Sequence, residues 1–383
     1  MKHRSIIFLL AAVLLVCACN NPAAQFREPA LAVDSVYYAE GFKISYHSDY
    51  ITVDLRDPWD TLKLRKRYIL AEKELLEGND SLAASLSLLG LLVPVPVERA
   101  VIYTSVHTSM AEQLGCLDKV VGVCEPEYIT SETVKRKVAS GEIADIGIYS
   151  APNVEKMIEL NTEIIIASPF ENSGYGAAEK LGIPIVEAAD YMEEHPLGRA
   201  EWVRFYGLLF GCREKADEVF FNTMEKYDAL KALTQSLSSN QRPTFILERR
   251  YGATWFIPSQ KSYIGCLHAD AGADYIFKDN VQTGSMPMSF ESVLEKGIDA
   301  KYWFIKYGAE KDMTYADLES EYQPYSNFAA FKNRNIYCCN TLSSTYYDDI
   351  TLHPDQVLAD LIHIYHPELL LDHIPKYYRK MGE

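Results

Sequence analysis

The feature that most limits this chain's fold is a break in a regular rhythm. From residue 97 onward, short apolar runs alternate with helical patterns, until the alternation stops between about Leu197 and Leu237. That stretch contains no proline and no strand signal. Its apolar residues recur at helical spacing: Trp202, Phe205, Tyr206, Leu209, Phe210, Val219, Phe220, Met224, Tyr227, Leu230 and Leu233. One or two helices of this length would cross a whole molecule, at about 1.5 Å per residue. Gly211 marks a place where they would break. After Pro243 the strand–helix alternation resumes. The pattern predicts two α/β lobes joined by long helix.

On the near side, residues 100–104, 120–123, 163–167 and 183–186 read as buried strands, and residues 105–114, 153–160 and 174–181 as helices between them. On the far side, residues 244–248, 302–305 and 335–338 read as strands, and residues 263–271, 290–296, 354–365 and 370–381 as helices. Strands separated by helices imply a mainly parallel sheet covered on both faces. Residues 42–46 and 50–54 alternate apolar and polar around a turn, which is a hairpin signal, and residues 68–71 suit a third strand. The expected fold class is therefore α/β. Two doubly wound lobes are joined by a long α-helix, with a small β-rich N-terminal extension. The boundaries are residues 30–96 for the extension, 97–197 for the N-terminal lobe, 198–238 for the linker helix and 239–383 for the C-terminal lobe.

The first residues are not part of that fold. Lys2, His3 and Arg4 precede an apolar run from Ile6 to Val16, and Cys17, Ala18 and Cys19 follow. A basic start, a short apolar run and a small residue before a cut describe a secretory signal. The run is too short for a mature membrane span, which needs about 20 residues. Cys19 follows the small Ala18 and fits a lipobox better than Cys17. The expectation is a signal peptide over residues 1–18, acylation at Cys19, and a polar tether over residues 19–29. That places the chain at the periplasmic face of the cell envelope, held on a membrane by lipid.

Charge and motifs narrow the function classes. There are 53 Asp and Glu against 37 Lys and Arg, a net charge of −16. Such a balance argues against nucleic acid as a partner. No GxSxG elbow, no HExxH and no Walker loop occurs, so the sequence gives no sign of an enzyme. No CxxC pair suggests zinc. Six cysteines lie beyond the signal region, and Cys116 and Cys124 flank a short connection across which they could pair; buried free thiols fit equally well. No cofactor is expected.

Four stretches, in order and spacing, resemble the cobalamin and iron-chelate (siderophore, haem) substrate-binding proteins of ABC importers, the type whose lobes are joined by a long helix. The first runs from Arg99 through Ser105 and Gly115 to Val123. The second runs from Ile146 through Asn153 and Glu155 to Ile164. The third is Leu181 to Ile185, then Gly198 to Trp202, with Lys215 and Ala216. The last is Asp270 to Ala273, Phe290 and Glu291, and His353 through Ile362. The resemblance covers residues 97–366. It implies a protein that captures cobalamin or a ferric chelate and delivers it to the transmembrane subunits of a permease. It also implies that Glu155 and Glu291, one on each lobe, dock against arginines of that permease.

The ligand is expected in the cleft between lobes, at loops following strand carboxyl ends. Candidate contacts are Ser105, His107, Tyr128 and Tyr149 from the first lobe. Arg249, Tyr251 and Trp255 are those from the second. Cobalamin binders of this type often carry an aromatic at the place of Tyr149. Ser285, at the corresponding place before Glu291, departs from that pattern. Two alternatives stand beside this reading: a zinc- or manganese-binding protein of an ABC importer, and an exported metal-dependent hydrolase.

Overall fold

The computed structural model describes residues 30–34, 36–282 and 284–382. The expected signal peptide, Cys19 and the expected tether lie outside the described residues. The chain opens with a five-stranded sheet: β1 (Ala32–Val33), β2 (Phe42–Tyr46), β3 (Ile51–Arg56), β4 (Leu64–Glu72) and β5 (Leu91–Val95), paired in that order. The first four run antiparallel, and β5 joins β4 in parallel after a short helical crossover.

The first lobe is built on β6 (Ala100–Ile102), β7 (Val120–Val123), β8 (Ala144–Asp145), β9 (Ile164–Ala167) and β10 (Ile185–Glu187), in the order β10-β9-β6-β7-β8. All these pairings are parallel. The central strands β6, β7 and β9 are short and apolar throughout because both faces are covered, whereas the edge strands β8 and β10 end in Asp145 and Glu187. Ala100, Ile102, Ile164 and Ile166 enter the core on one face, and Val101, Tyr103, Ile165 and Ala167 that on the other. Helices α1 (Ser105–Gln113) and α2 (Val154–Glu159) follow strands β6 and β8, each capped by a side chain, Thr104 and Asn153.

The long connection is two helices. Helix α3 (Pro196–Phe210) is buried along its whole length and ends at Gly211, whose φ of 71° only glycine adopts readily. Gly207 sits where any side chain would strike the Ala216 methyl, at 2.4 Å from its Cβ, so the two helices meet closely at this corner. Helix α4 (Arg213–Thr234) is 22 residues long, about 33 Å, and makes the crossing. Its buried residues Ala216, Phe220, Thr223 and Tyr227 form one stripe. Phe220 packs into the first core and Tyr227 into the second. The Thr223 hydroxyl donates to Leu352 O at 3.0 Å, and Tyr227 donates to Asp270 at 2.8 Å.

The second lobe carries β11 (Thr244–Leu247), β12 (Asp274–Tyr275), β13 (Tyr302–Tyr307), β14 (Ile336–Asn340) and the antiparallel β15 (Arg379–Lys380), in the order β12-β11-β13-β14-β15. A separate antiparallel ladder joins Arg250–Tyr251, Thr254–Pro258 and Ser285–Met288. Helices α5 (Tyr263–Asp270), α6 (Phe290–Gly297), α7 (Tyr346–Asp349) and α8 (Pro354–Tyr365) are among those that cover this lobe. The helix expected over residues 370–381 does not form. Pro375 cannot supply a helical N–H. The buried Asp360 carboxylate instead gathers the backbone N–H groups of Lys376, Tyr377 and Tyr378, at 2.9, 2.7 and 3.3 Å.

One buried group makes this lobe sensitive to acid. His268 is fully buried and stacked on Phe245, with ring centres 4.4 Å apart, and its Nδ1 lies 2.7 Å from the Tyr365 hydroxyl. Burial, with the Lys306 charge adding to it, holds its pKa well below the ordinary histidine range. An unfolded histidine takes up a proton below about pH 6.5, whereas the folded one stays neutral. The unfolded state then binds more protons, so stability falls as pH falls. Between pH 7.5 and 6, His268 alone is expected to remove about 0.8 kcal/mol. Urea unfolding midpoints at the two pH values test this, and an unchanged midpoint would show that the folded imidazole accepts the proton.

Candidate ligand-binding site

The carboxyl ends of the first-lobe strands gather an acidic and aromatic group. After β10 the chain turns through Asp190, which is buried. Its carboxylate meets His107 Nε2 at 2.8 Å and Arg199 Nε at 3.4 Å. Burial pushes the Asp190 carboxyl up, but its contacts with His107 and Arg199 outweigh that and hold its pKa below the usual range. The Arg199 guanidinium also lies 4.9 Å from the ring centre of Tyr263, on the second lobe. It therefore joins the lobes at the base of the cleft by a cation–π contact.

Beside this group runs a file of rings. Tyr103 meets Tyr149 edge-on at 5.8 Å, Tyr149 meets Phe170 at 5.5 Å, and Phe170 meets Tyr191 at 6.1 Å. Phe170 is 45% exposed. The Tyr191 hydroxyl donates to Pro169 O at 2.5 Å, which fixes the ring. On the second lobe, the Tyr263 and Tyr346 hydroxyls are 2.9 Å apart, and Tyr347 is 48% exposed. Lys306, at the end of β13, pairs with Glu248, at the end of β11. Burial opposes the Lys306 charge, but Glu248 holds its pKa well above the ordinary value. Glu248 has a φ of 62°, unusual for a residue with a side chain, and such strain gathers at functional sites.

Tyr191 and Tyr263 are two walls of one cavity of about 490 Å³ between the lobes. Its other walls include Tyr38 and Arg56 from the N-terminal extension, His195 at the start of α3, and Lys261. The size lies within the range of small-molecule sites, about 300–1,000 Å³. A second cavity, about 410 Å³, lies wholly in the second lobe beside Asn340 and Lys376. Elsewhere the lobes touch directly: Asp348 in α7 accepts from the N–H and the hydroxyl of Thr130, the former at 3.1 Å.

The extension is held against α3 by two buried carboxylates. Glu201 accepts from the backbone N–H groups of Tyr37, Tyr38 and Ala39, at 2.8–3.0 Å, and from Arg204 at 3.0 Å. Glu193 accepts from the N–H groups of Glu40 and Gly41, each at 2.9 Å, and from Trp202 Nε1 at 2.8 Å.

The expected contacts are scattered. Tyr149 belongs to the file of rings. Ser105 is the first residue of α1 and half-buried. His107 is shut inside the lobe at 1% exposure, so it orients Asp190 and is out of a ligand's reach. Trp255 is fully buried; its Nε1 donates to Leu247 O at 2.9 Å and its ring packs on Trp303 and Phe328. It is a core residue, because alternation along its strand turns Phe256 outward instead. Arg249 is tied to Glu321 at 2.5 Å, and Arg250 lies over the Tyr322 ring at 3.7 Å. Tyr128 and Tyr251 are exposed, and neither lines the cavity. The sequence reading missed Phe170, Tyr191, Tyr263 and Lys306. All but Tyr263 follow or end a strand, and that position could have found them. Cys116 and Cys124 lie in cores on opposite faces of the first sheet and cannot pair.

Glu155 and Glu291 occupy matching places. Each is the second residue of a helix, α2 or α6, after a polar cap, Asn153 or Ser289. Both are exposed, and among the described residues neither carboxylate makes a hydrogen bond or ion pair.

A family model described as periplasmic binding protein matches residues 100–341. An uncharacterized lipoprotein of Methanocaldococcus jannaschii is 27% identical over 288 residues, 72% of this chain and 67% of that protein. The petrobactin-binding protein of Bacillus subtilis is 24% identical over 269 residues, 67% of this chain and 78% of that protein. Among solved structures, a periplasmic heme binding protein of Pseudomonas aeruginosa superposes with a TM-score of 0.58 at 14% identity, covering 75% of this chain and 98% of the other. That likeness concerns the fold.

Proposed function

The chain belongs to the periplasmic binding protein family, and we propose that it is the lipid-anchored receptor that captures cobalamin or an iron chelate between its lobes and delivers it to an ABC permease. It is a solute-binding transport protein, not an enzyme. The observation that carries the cargo reading is the file Tyr149–Phe170–Tyr191 leading to a cavity shared by both lobes. Ring faces suit a large, flat or catechol-bearing chelate. The petrobactin binder of Bacillus subtilis supports an iron chelate, and the lipoprotein of Methanocaldococcus jannaschii supports acylation at Cys19. Ser105 and Tyr149 remain the proposed first-lobe contacts from the original set, joined by Tyr191 and Tyr263.

A bare zinc or manganese ion would need converging ligands. Among the described residues no group of three or more His, Cys, Asp or Glu could hold a metal ion. That favours the organic chelate.

Fluorescence titration of the purified protein with ferric siderophores, haemin and cyanocobalamin tests the reading. One of them is expected to bind saturably at micromolar concentration or better, about −8 kcal/mol. Tyr191→Ala is expected to weaken that binding about tenfold, the order of one lost ring contact. Binding to none of them would remove the chelate from consideration.

A further inference from the structure

Six cysteines fall among the described residues, and two of them meet. Cys116 closes the turn after α1, and Cys212 stands between α3 and α4. Their sulfur atoms are 3.5 Å apart although the residues are 96 positions apart in sequence. Both pack in the same core of the first lobe. A disulfide has a sulfur separation of about 2.05 Å, so closing this pair needs a shift of about 1.5 Å. The remaining described cysteines are accounted for separately: Cys124 on the opposite face of the sheet, and Cys266, Cys338 and Cys339 in the second lobe.

We propose that Cys116 and Cys212 are a disulfide-forming pair that closes when the chain is exported. The export rests on the family reading above; the pairing rests on the geometry alone. The oxidant is a disulfide of an exported dithiol oxidase, or a small-molecule disulfide. The Cys212 thiolate attacks one sulfur of that donor, forming a mixed disulfide and expelling a donor thiolate. The Cys116 thiolate then attacks the Cys212 sulfur and expels the second donor thiolate. Two electrons and two protons leave the pair, and the donor ends as a dithiol if it is the oxidase, or as two thiols if it is the small-molecule disulfide.

The order of attack follows from access. Cys212 is half-buried and Cys116 buried. The Cys116 thiol beside it lowers the pKa of Cys212 to about 7, with the Lys119 ammonium assisting. Lys119 is fixed at this corner by bonds to Phe210 O, at 2.9 Å, and Glu98, at 3.0 Å. Attack by the more exposed, more acidic thiol is the faster first step. The closed bond would fasten the start of α4 to the end of α1, and so fix the point from which the connecting helix leaves the first lobe.

The test uses the full chain, exported and extracted from membranes after an acid quench. Free thiols are blocked with N-ethylmaleimide, the protein is reduced, and new thiols are labelled with iodoacetamide before peptide mapping. Cys116 and Cys212 are expected to carry only the second label and to give a linked peptide without reduction. Reduction is expected to lower the melting temperature by roughly 5 °C, and not to do so in Cys212→Ser. The purified, reduced chain is also incubated with oxidised glutathione. Failure to link even then overturns the pairing. Linkage with glutathione but not in the exported protein upholds the pair and tells against the export reading.

Discussion

Cells carrying Glu155→Arg together with Glu291→Arg are expected to lose uptake to background, while the purified double variant binds cargo within twofold of the parent. The two carboxylates are exposed, sit on different lobes and have no partner among the described residues. Charge in such a position is available to another molecule. Exposed ion pairs within a protein contribute only about 0.2–1 kcal/mol. Across an interface, close pairs couple by about 1.5–7 kcal/mol. Reversal replaces each attraction by a repulsion, so a single reversal should cut uptake about tenfold and the pair should abolish it. The fold should hardly notice. Each glutamate favours its own helix N-terminus by about 0.3–1 kcal/mol, and nothing else depends on it. Neither lines the cavity, so affinity for cargo has no reason to change. Transport by the double variant at the parental rate would show that these carboxylates do not dock.

The second large effect concerns stability. Glu201→Leu is expected to destabilise the chain by about 3–5 kcal/mol, the range seen when one partner of a buried ion pair is removed. Glu201 is fully buried, and among the described residues its carboxylate is the acceptor for three consecutive backbone N–H groups, those of Tyr37, Tyr38 and Ala39. It also faces Arg204, which is buried as well. Leucine would leave those donors without an acceptor and weaken the compensation of the guanidinium. Glu201→Gln keeps one acceptor oxygen and should lose less. Urea unfolding gives the energies, and limited proteolysis shows whether the extension comes loose. A loss under 1 kcal/mol for Glu201→Leu would mean the extension is held by its apolar packing instead.

The lobes were legible because parallel strands carry their own signature. Runs such as residues 100–102 and 164–167 are apolar on both faces, which only a covered sheet explains. Helix α8 was legible at both ends, with Pro354 at its first position and Pro367 just beyond. The site was harder for two reasons. Its walls come from five remote stretches, around Tyr38, Arg56, Tyr191, Tyr263 and Gln282, and only packing brings them together. An aromatic residue near a strand end also looks the same in sequence whether it faces a cleft or a core. The alternation over residues 254–258 separates Trp255 and Ile257 from Phe256, but it does not say which side is inside. Trp255 went to the core. The failed helix after residue 370 has two causes: Pro375, which the sequence shows, and the buried Asp360 carboxylate that accepts from the N–H groups of Lys376, Tyr377 and Tyr378, which no local pattern announces.

The clasp between the extension and α3 has a consequence for how this molecule can change over generations. Glu193 and Glu201 grip main-chain N–H groups, which every residue but proline supplies. The clasp itself therefore reads no side chain in residues 37–40; what those side chains do is separate from it, Tyr37 packing on Phe220 and Phe221 and Tyr38, at the cavity wall, stacking on His195. Gly41 is the exception: a Cβ there would lie 2.8 Å from the Glu193 carboxylate and 2.9 Å from the Trp202 ring. The acids and one glycine hold the register, so a change of ring at Tyr38 would alter the cavity wall and the stacking on His195 while the main-chain clasp stays in place.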